Sequence, residues 1–217
     1  MGKWDEMYQN LQEVGLDVHE QLSGTKWLDR FILQVGDTTG KSLDLGCGLG
    51  ADMLRCAALG YEPHGLDLES QAVEFVNETY GFASRHHNFG QPLPYPNEMF
   101  SLVLSRFALH YLYPTKAYAL FREIHRVLKP SGKLLFAVNS KSHRELGLQY
   151  DYTDAIEVEP NVWRLPNDRD RTFLFYTPEI AKELAGDGWV WHYLEDEQFE
   201  HWSNIHKRAV VGFCEKL

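Results

Sequence analysis

The chain has 217 residues and an ordinary apolar share, enough for one domain with a buried core. Thirty-one acidic against twenty-one basic residues leave a net charge of −10, without the basic footprint of a nucleic-acid binder. Three scattered cysteines (Cys47, Cys56, Cys214) make no disulfide framework, no charged-then-apolar leader opens the sequence and no apolar run reaches membrane-spanning length, so a cytoplasmic setting away from membranes is expected.

Residues 1–36 read as helical. Trp4, Tyr8 and Leu11 share one face of a helix over 2–14, and Trp27, Leu28, Phe31, Ile32 and Val35 share one over 25–35. A strand over 41–45 runs into Gly46, Gly48 and Gly50, and a helix over 51–59 stops at Gly60. A short strand over 63–66 ends at Asp67, a helix spans 69–80, and 82–87 reads as another strand. Pro92, Pro94 and Pro96 make 88–99 a loop. A strand over 100–104, a helix over 114–128 and a strand over 133–138 follow. This alternation predicts an α/β fold: a doubly wound, mostly parallel sheet with helices on both faces.

Beyond Asn139 the pattern weakens. Residues 139–176 form a polar insert with two expected strands, 155–165 and 172–176, and a turn at 167–170. Thr177-Pro178-Glu179 starts a helix, with Thr as cap and Pro in the first turn. Two alternating strands over 189–195 and 208–215 finish a single domain.

The glycine turn is a ligand site by its layout: strand, tight turn, helix N-terminus. Its spacing is G-x-G-x-G and not the dinucleotide fingerprint G-x-G-x-x-G. Asp44, at the turn's mouth, is a poor neighbour for a pyrophosphate and suits an ammonium group. Asp67, at the end of the second strand, suits ribose hydroxyls. The site therefore wants a nucleoside with a positive, amino-acid-like tail, and S-adenosylmethionine is such a molecule.

Here the sequence resembles the class I S-adenosylmethionine-dependent methyltransferases. The resemblance rests on residues 43–50, 65–68, 92–95, 100–105, 109–112 and 128–133, in the family's order. It implies a Rossmann-like sheet closed by a C-terminal antiparallel hairpin, with 1–36 as a helical cap over the cofactor cleft. It also implies a cofactor site of Asp44, Gly46, Cys47, Gly48, Gly50, Asp67, Leu68, Asn88, Phe89 and Ser105. Asn88 stands where the family often has an acid, and its amide oxygen can still face the adenine amino group. Cys47 is read as a small buried residue and not a nucleophile. Ser105 stands near the methyl path or caps the strand end. Among subgroups, the likeness is to small-molecule enzymes of the thiopurine- and tellurite-resistance and ubiquinone-biosynthesis-like groups.

A sulfonium is an activated methyl donor, so in-line displacement needs positioning first and a base only for a protonated nucleophile. His110 is the candidate base, although packing is its more ordinary role. The insert 139–176 is expected to form the acceptor pocket, with Tyr8, Tyr111, Trp163 and Phe175 as candidates. Ten histidines show no zinc-ligand spacing, so no metal is expected. The leading expectation is methyl transfer to a small-molecule acceptor, without nucleic acid or membrane. The alternatives are a cofactor- or nucleoside-binding module without chemistry, a nucleotide-dependent oxidoreductase, against which the glycine spacing speaks, and methylation of a macromolecule.

Overall fold

The computed structural model describes residues 26–36, 38–148, 150–200 and 206–217. The expected helix over 2–14, including Tyr8, lies outside the described residues, as does most of the expected cap. The expected helix over 25–35 breaks in two: α1 (Lys26–Asp29) and α2 (Ile32–Val35). At the break the Phe31 N–H donates to the Leu28 carbonyl three residues back, at 3.0 Å. The apolar face survives the break, with Trp27, Leu28, Phe31 and Val35 all buried. Arg30 turns outward to pair with Glu197 and lies over the rings of Phe31 and Tyr193.

Then come β1 (Lys41–Leu45), α3 (Ala51–Ala58), β2 (Glu62–Asp67), α4 (Ser70–Tyr80), β3 (Ala83–His86), β4 (Phe100–Arg106), a 3₁₀ turn (Leu109–Tyr111), α5 (Pro114–Val127) and β5 (Leu128–Asn139). β5 starts five residues before the expected position, because Leu128 already pairs with Phe100 and Ser131 takes a positive φ of 60° within the strand. The later elements are α6 (Lys141–Glu145), β6 (Ile156–Glu159), β7 (Val162–Leu165), β8 (Arg171–Leu174), α7 (Pro178–Ala185), β9 (Trp189–Glu200) and β10 (His206–Lys216).

Seven strands form one sheet in the order β3-β2-β1-β4-β5-β10-β9. The first five run parallel, while β10 is antiparallel to both β5 and β9. Both faces are buried, as the near-continuous apolar strands demand. Leu43, Leu45, Val103, Leu134, Phe136, Val138 and Val210 join one core with Leu120, Phe121 and Ile124 of α5 and Ala181 and Leu184 of α7. The alternate residues Leu102, Leu104, Leu135, Ala137, Val211 and Phe213 join a second core with Trp27, Leu28, Phe31, Val35 and Cys56. This period-two division fits every strand between helices on two sides.

The insert differs from expectation. The strand expected over 155–165 splits at Pro160-Asn161, where proline removes a donor and Asn161 takes φ 63°. β6, β7 and β8 then form a separate antiparallel sheet. The short α6 was not expected; Ser140 Oγ caps it by accepting the His143 N–H at 3.0 Å. Thr177 caps α7 as expected, its Oγ1 accepting the Ile180 N–H. Among the described residues no helix is long and apolar enough to cross a membrane.

Candidate functional site at the strand ends

The carboxyl ends of β1, β2, β4 and β5 share one edge of the sheet, and β10 begins at that edge because it runs antiparallel, with Ala209 beside Asn139. Ligands of open parallel sheets bind along such an edge. The turn after β1 is held from below: the Gly46 and Cys47 N–H groups both donate to the Leu66 carbonyl, at 2.8 and 3.1 Å. Gly46, Gly48 and Gly50 all take positive φ.

Packing gives two of these glycines a reason of their own. A Cβ on Gly46 would stand 2.4 Å from the Ala108 Cβ, and one on Gly50 would stand 3.0 Å from the Val76 side chain. Both are therefore required by the fold before any ligand arrives. Cys47 points its side chain into a small core with Met53 and Val76, and burial drives its thiol far above the ordinary range. It offers backbone only and no nucleophile.

Asp67 is anchored. Its Oδ2 accepts the Gly48 N–H at 2.8 Å and its Oδ1 accepts the Glu69 N–H at 3.0 Å. Each oxygen keeps a further lone pair for a ligand donor. Burial raises its pKa, against the pull of those N–H groups. The next side chain, Leu68, is 55% exposed, beside the site, where a flat apolar ring could lie on it.

Asp44 is 3% exposed, and its carboxylate has no hydrogen-bond partner among the described residues. Burial raises its pKa well above the usual range, and Asp52 and Asp67 raise it further, against the pull of Arg106. Arg106 is committed elsewhere, bonding Asp52 Oδ2 at 2.7 Å, while Trp27 donates to Asp52 Oδ1 at 3.1 Å. A buried carboxylate whose attracting cation already serves another acid is costly. A ligand ammonium would supply what Asp44 lacks, and ribose hydroxyls fit the free lone pairs of Asp67.

The remaining expected residues divide. Phe89 is half-buried, its ring beside Gly46. Asn88 is exposed, with Oδ1 accepting the Gly90 N–H at 2.9 Å, so its oxygen already serves the turn. Ser105 is fully buried and donates to the Leu45 carbonyl at 2.8 Å, which ties the ends of β4 and β1 together.

On the side expected to face an acceptor, His110 is 1% exposed, with neither ring nitrogen hydrogen-bonded. It packs among Phe107, Tyr111 and Phe173, with ring centroids at 6.2, 4.5 and 5.6 Å. Burial, with Lys207, His143 and Arg171 nearby, drives its pKa far down and keeps it neutral. Tyr111 lies 5.2 Å from Phe173. Phe175 is fully buried in the insert's own core with Leu165 and Phe173, and Trp163 packs at its margin beneath Arg144. Phe175 thus holds the insert together, and Tyr111 joins that core to His110.

Sequence reasoning did not place Lys207, His143 and Arg171 with His110, although all three act on its imidazole. No motif marks them; a lysine at a strand start reads as solvated. Among the described residues no group of three or more His, Cys, Asp or Glu could hold a metal ion.

Residues 43–136 match the family model of a methyltransferase domain. YqeM of Bacillus subtilis, a protein named as a methyltransferase, is 30% identical over 122 residues, covering 54% of this chain and 47% of YqeM. The chain spans about half the length of the curated relatives it matches. A solved SAM-dependent methyltransferase from Methanosarcina mazei has a TM-score of 0.73 at 19% identity, over 86% of this chain and 97% of that one. Geranyl diphosphate C-methyltransferase from Streptomyces coelicolor A3(2), solved with Mg2+, geranyl-S-thiolodiphosphate and S-adenosyl-L-homocysteine, has a TM-score of 0.64 at 15% identity, over 87% of this chain and 74% of that one. At these identities the two structures speak for the fold.

Proposed function

We propose, from the match of residues 43–136 to the methyltransferase-domain family model, that the protein is a class I S-adenosylmethionine-dependent methyltransferase and transfers a methyl group from S-adenosylmethionine to a small-molecule acceptor. The observation that carries the reading is the pair of acids on adjacent parallel strands: Asp44, buried without a partner, and Asp67, anchored with lone pairs to spare. Asp44 would hold the ammonium of the methionine tail. Asp67 would accept from both ribose hydroxyls, and Leu68 and Phe89 would pack the adenine.

Bound S-adenosylmethionine supplies a methyl group already activated on a sulfonium. The protein's task is then to align an acceptor behind that methyl and exclude water, and positioning can supply most of the rate. His110, kept neutral, would take a proton only from an acceptor that arrives protonated. The 139–176 insert, with Tyr111 and Trp163 at its inner margin, is the part we assign to holding the acceptor. Support comes from the Streptomyces neighbour, whose ligands are a small molecule and S-adenosyl-L-homocysteine. We place this activity in the cytoplasm, supported by three free, buried cysteines.

The test is calorimetric titration with S-adenosylmethionine and S-adenosyl-L-homocysteine. Both should bind, and Asp67→Ala should weaken both by more than tenfold. No measurable binding by the full chain would refute the reading. A turnover screen over thiols, phenols, amines and chalcogen oxyanions then separates an enzyme from a binding module, which would bind S-adenosyl-L-homocysteine and transfer nothing.

A further inference from the structure

The acceptor side of this edge is basic in a protein with ten more acids than bases. Three side chains act on the His110 imidazole there from three elements: Lys207 from the start of β10, His143 from α6 after β5, and Arg171 from β8 of the insert. The Lys207 Nζ lies 4.2 Å from the centre of the Phe107 ring, whose neighbour is His110. The Arg171 guanidinium lies 5.4 Å from the Phe173 ring and 5.3 Å from the Tyr150 ring. Tyr150 in turn stands 5.6 Å from His143.

Among the described residues, three carboxylates around this cluster are already engaged. Asp52 bonds Arg106, Asp168 bonds Arg171, and Asp196 bonds Arg208 and Ser142. Lys207 is 4% exposed and has no carboxylate or hydrogen-bond partner among the described residues. His143 Nδ1 accepts the Arg208 N–H at 3.2 Å. A backbone N–H can only donate, so neutral His143 carries its proton on Nε2, and that buried donor has no partner. A buried amine that can take up a proton, a buried donor and the unbonded ring of His110 thus converge, among the described residues, without a free acceptor of negative charge.

We propose that the acceptor molecule carries an anionic group, received by Lys207 and the Nε2–H of His143 beside His110. The proposal rests on the methyltransferase reading, and it names the acceptor's chemical class. Arg171, held by Asp168, contributes field from the insert's side without needing to move. The surrounding rings of Phe107, Tyr111 and Phe173 exclude water, which strengthens each charge-assisted bond.

The arrangement also predicts a proton signature. Burial, then Arg106 and Arg171, draw the Lys207 pKa down to about 7. Among the described residues the groups facing it are those two arginines, His110 and His143, all cationic or neutral. A bound anion restores the lysine's charge. At pH 8 binding should therefore take up close to one proton, about 0.9 for a group near 7.

The experiment is isothermal titration of the full chain saturated with S-adenosyl-L-homocysteine, at pH 8, in two buffers of different ionisation enthalpy. The probes are acetate, benzoate and inorganic phosphate, with acetamide and benzamide as neutral counterparts of the first two. At least one anion should bind, a carboxylate binding at least tenfold more tightly than its amide, with proton uptake. Lys207→Met should abolish the preference and the uptake. Lys207→Arg should keep the preference and lose the uptake, because a guanidinium stays charged. The proposal fails if amides bind as well as carboxylates, if no anion binds, or if Lys207→Met retains the preference. Binding of S-adenosyl-L-homocysteine, measured on each sample, keeps the two readings apart. Its loss in the wild-type chain would count against the donor site, whereas its retention without anion preference overturns only the acceptor class.

Discussion

Asp44→Asn should make this protein more stable and a poorer binder at once. The carboxylate is 3% exposed, unpartnered, and raised in pKa by burial and by Asp52. Asparagine keeps the shape and removes the charge. Neutralising an incompletely compensated buried charge is favourable, and because Arg106 already offsets part of the penalty, about 1 kcal/mol is the expected gain. For a chain of this size that is roughly 2–4 °C in Tm. The same change removes the counter-charge for a ligand ammonium. A hydrogen bond to a charged group contributes about 2 kcal/mol, which corresponds to roughly 30-fold in Kd. Differential scanning calorimetry of the ligand-free chain and titration with S-adenosyl-L-homocysteine read the two effects separately. The sign of the pH effect follows too: Asp44 must be ionised to hold an ammonium, so wild-type affinity should fall as pH drops through its raised pKa, and Asp44→Asn should lack that fall. A variant with lower Tm, or with affinity within twofold of wild type, would refute the assignment.

Gly46→Ala should destabilise by about 2–4 kcal/mol in urea melts, since φ is +81° and the new Cβ would stand 2.4 Å from Ala108. Gly81→Ala is the control, in the left-handed region at φ 68° and ψ 21° with open space around it; it should lose only about 1 kcal/mol, and equal losses would show that crowding at Gly46 is unimportant. Burial lowers the His143 pKa to about 4, so its neutral form is favoured in the folded state. Stability from that site is complete above the unfolded value and is lost as pH falls from 6.5 toward 4. Between pH 7 and pH 5 this amounts to about 2 kcal/mol, which His143→Gln should not show in parallel urea titrations.

The glycine turn and its flanking elements, where we propose the methyl donor binds, were legible because local rules mark them. Glycines end elements at Gly46 and Gly60, prolines keep 88–99 irregular, and apolar period switches from two to 3.6 across the turn. The reason for Gly46 and Gly50 was not legible, because Ala108 and Val76 approach them from other elements. The surroundings of His110, where we propose the acceptor sits, were hidden for the same physical cause. Phe175 looks like a pocket residue in a polar stretch and is instead the core of a small sheet that the stretch forms with itself. Lys207 looks solvated until β10 is laid beside β5, which buries it at the edge where His110 and His143 end up.

That placement of β10 also has a kinetic consequence. β5 can pair with β4 from residues nearby in the chain, but its other edge must wait for β10, with Lys133 meeting Glu215 across 82 positions. β9 has no place in the sheet until β10 arrives, since β10 is its neighbour there. The hairpin of β9 and β10 can form by itself, and the small sheet of β6 to β8 closes locally in between. Refolding should therefore be limited by one late docking, during which the apolar edge of β5 is open to other chains. Because closure entropy grows only with the logarithm of loop length, lengthening the insert would slow that docking little. The region assigned to acceptor choice is thus free to grow without delaying the assembly of the rest.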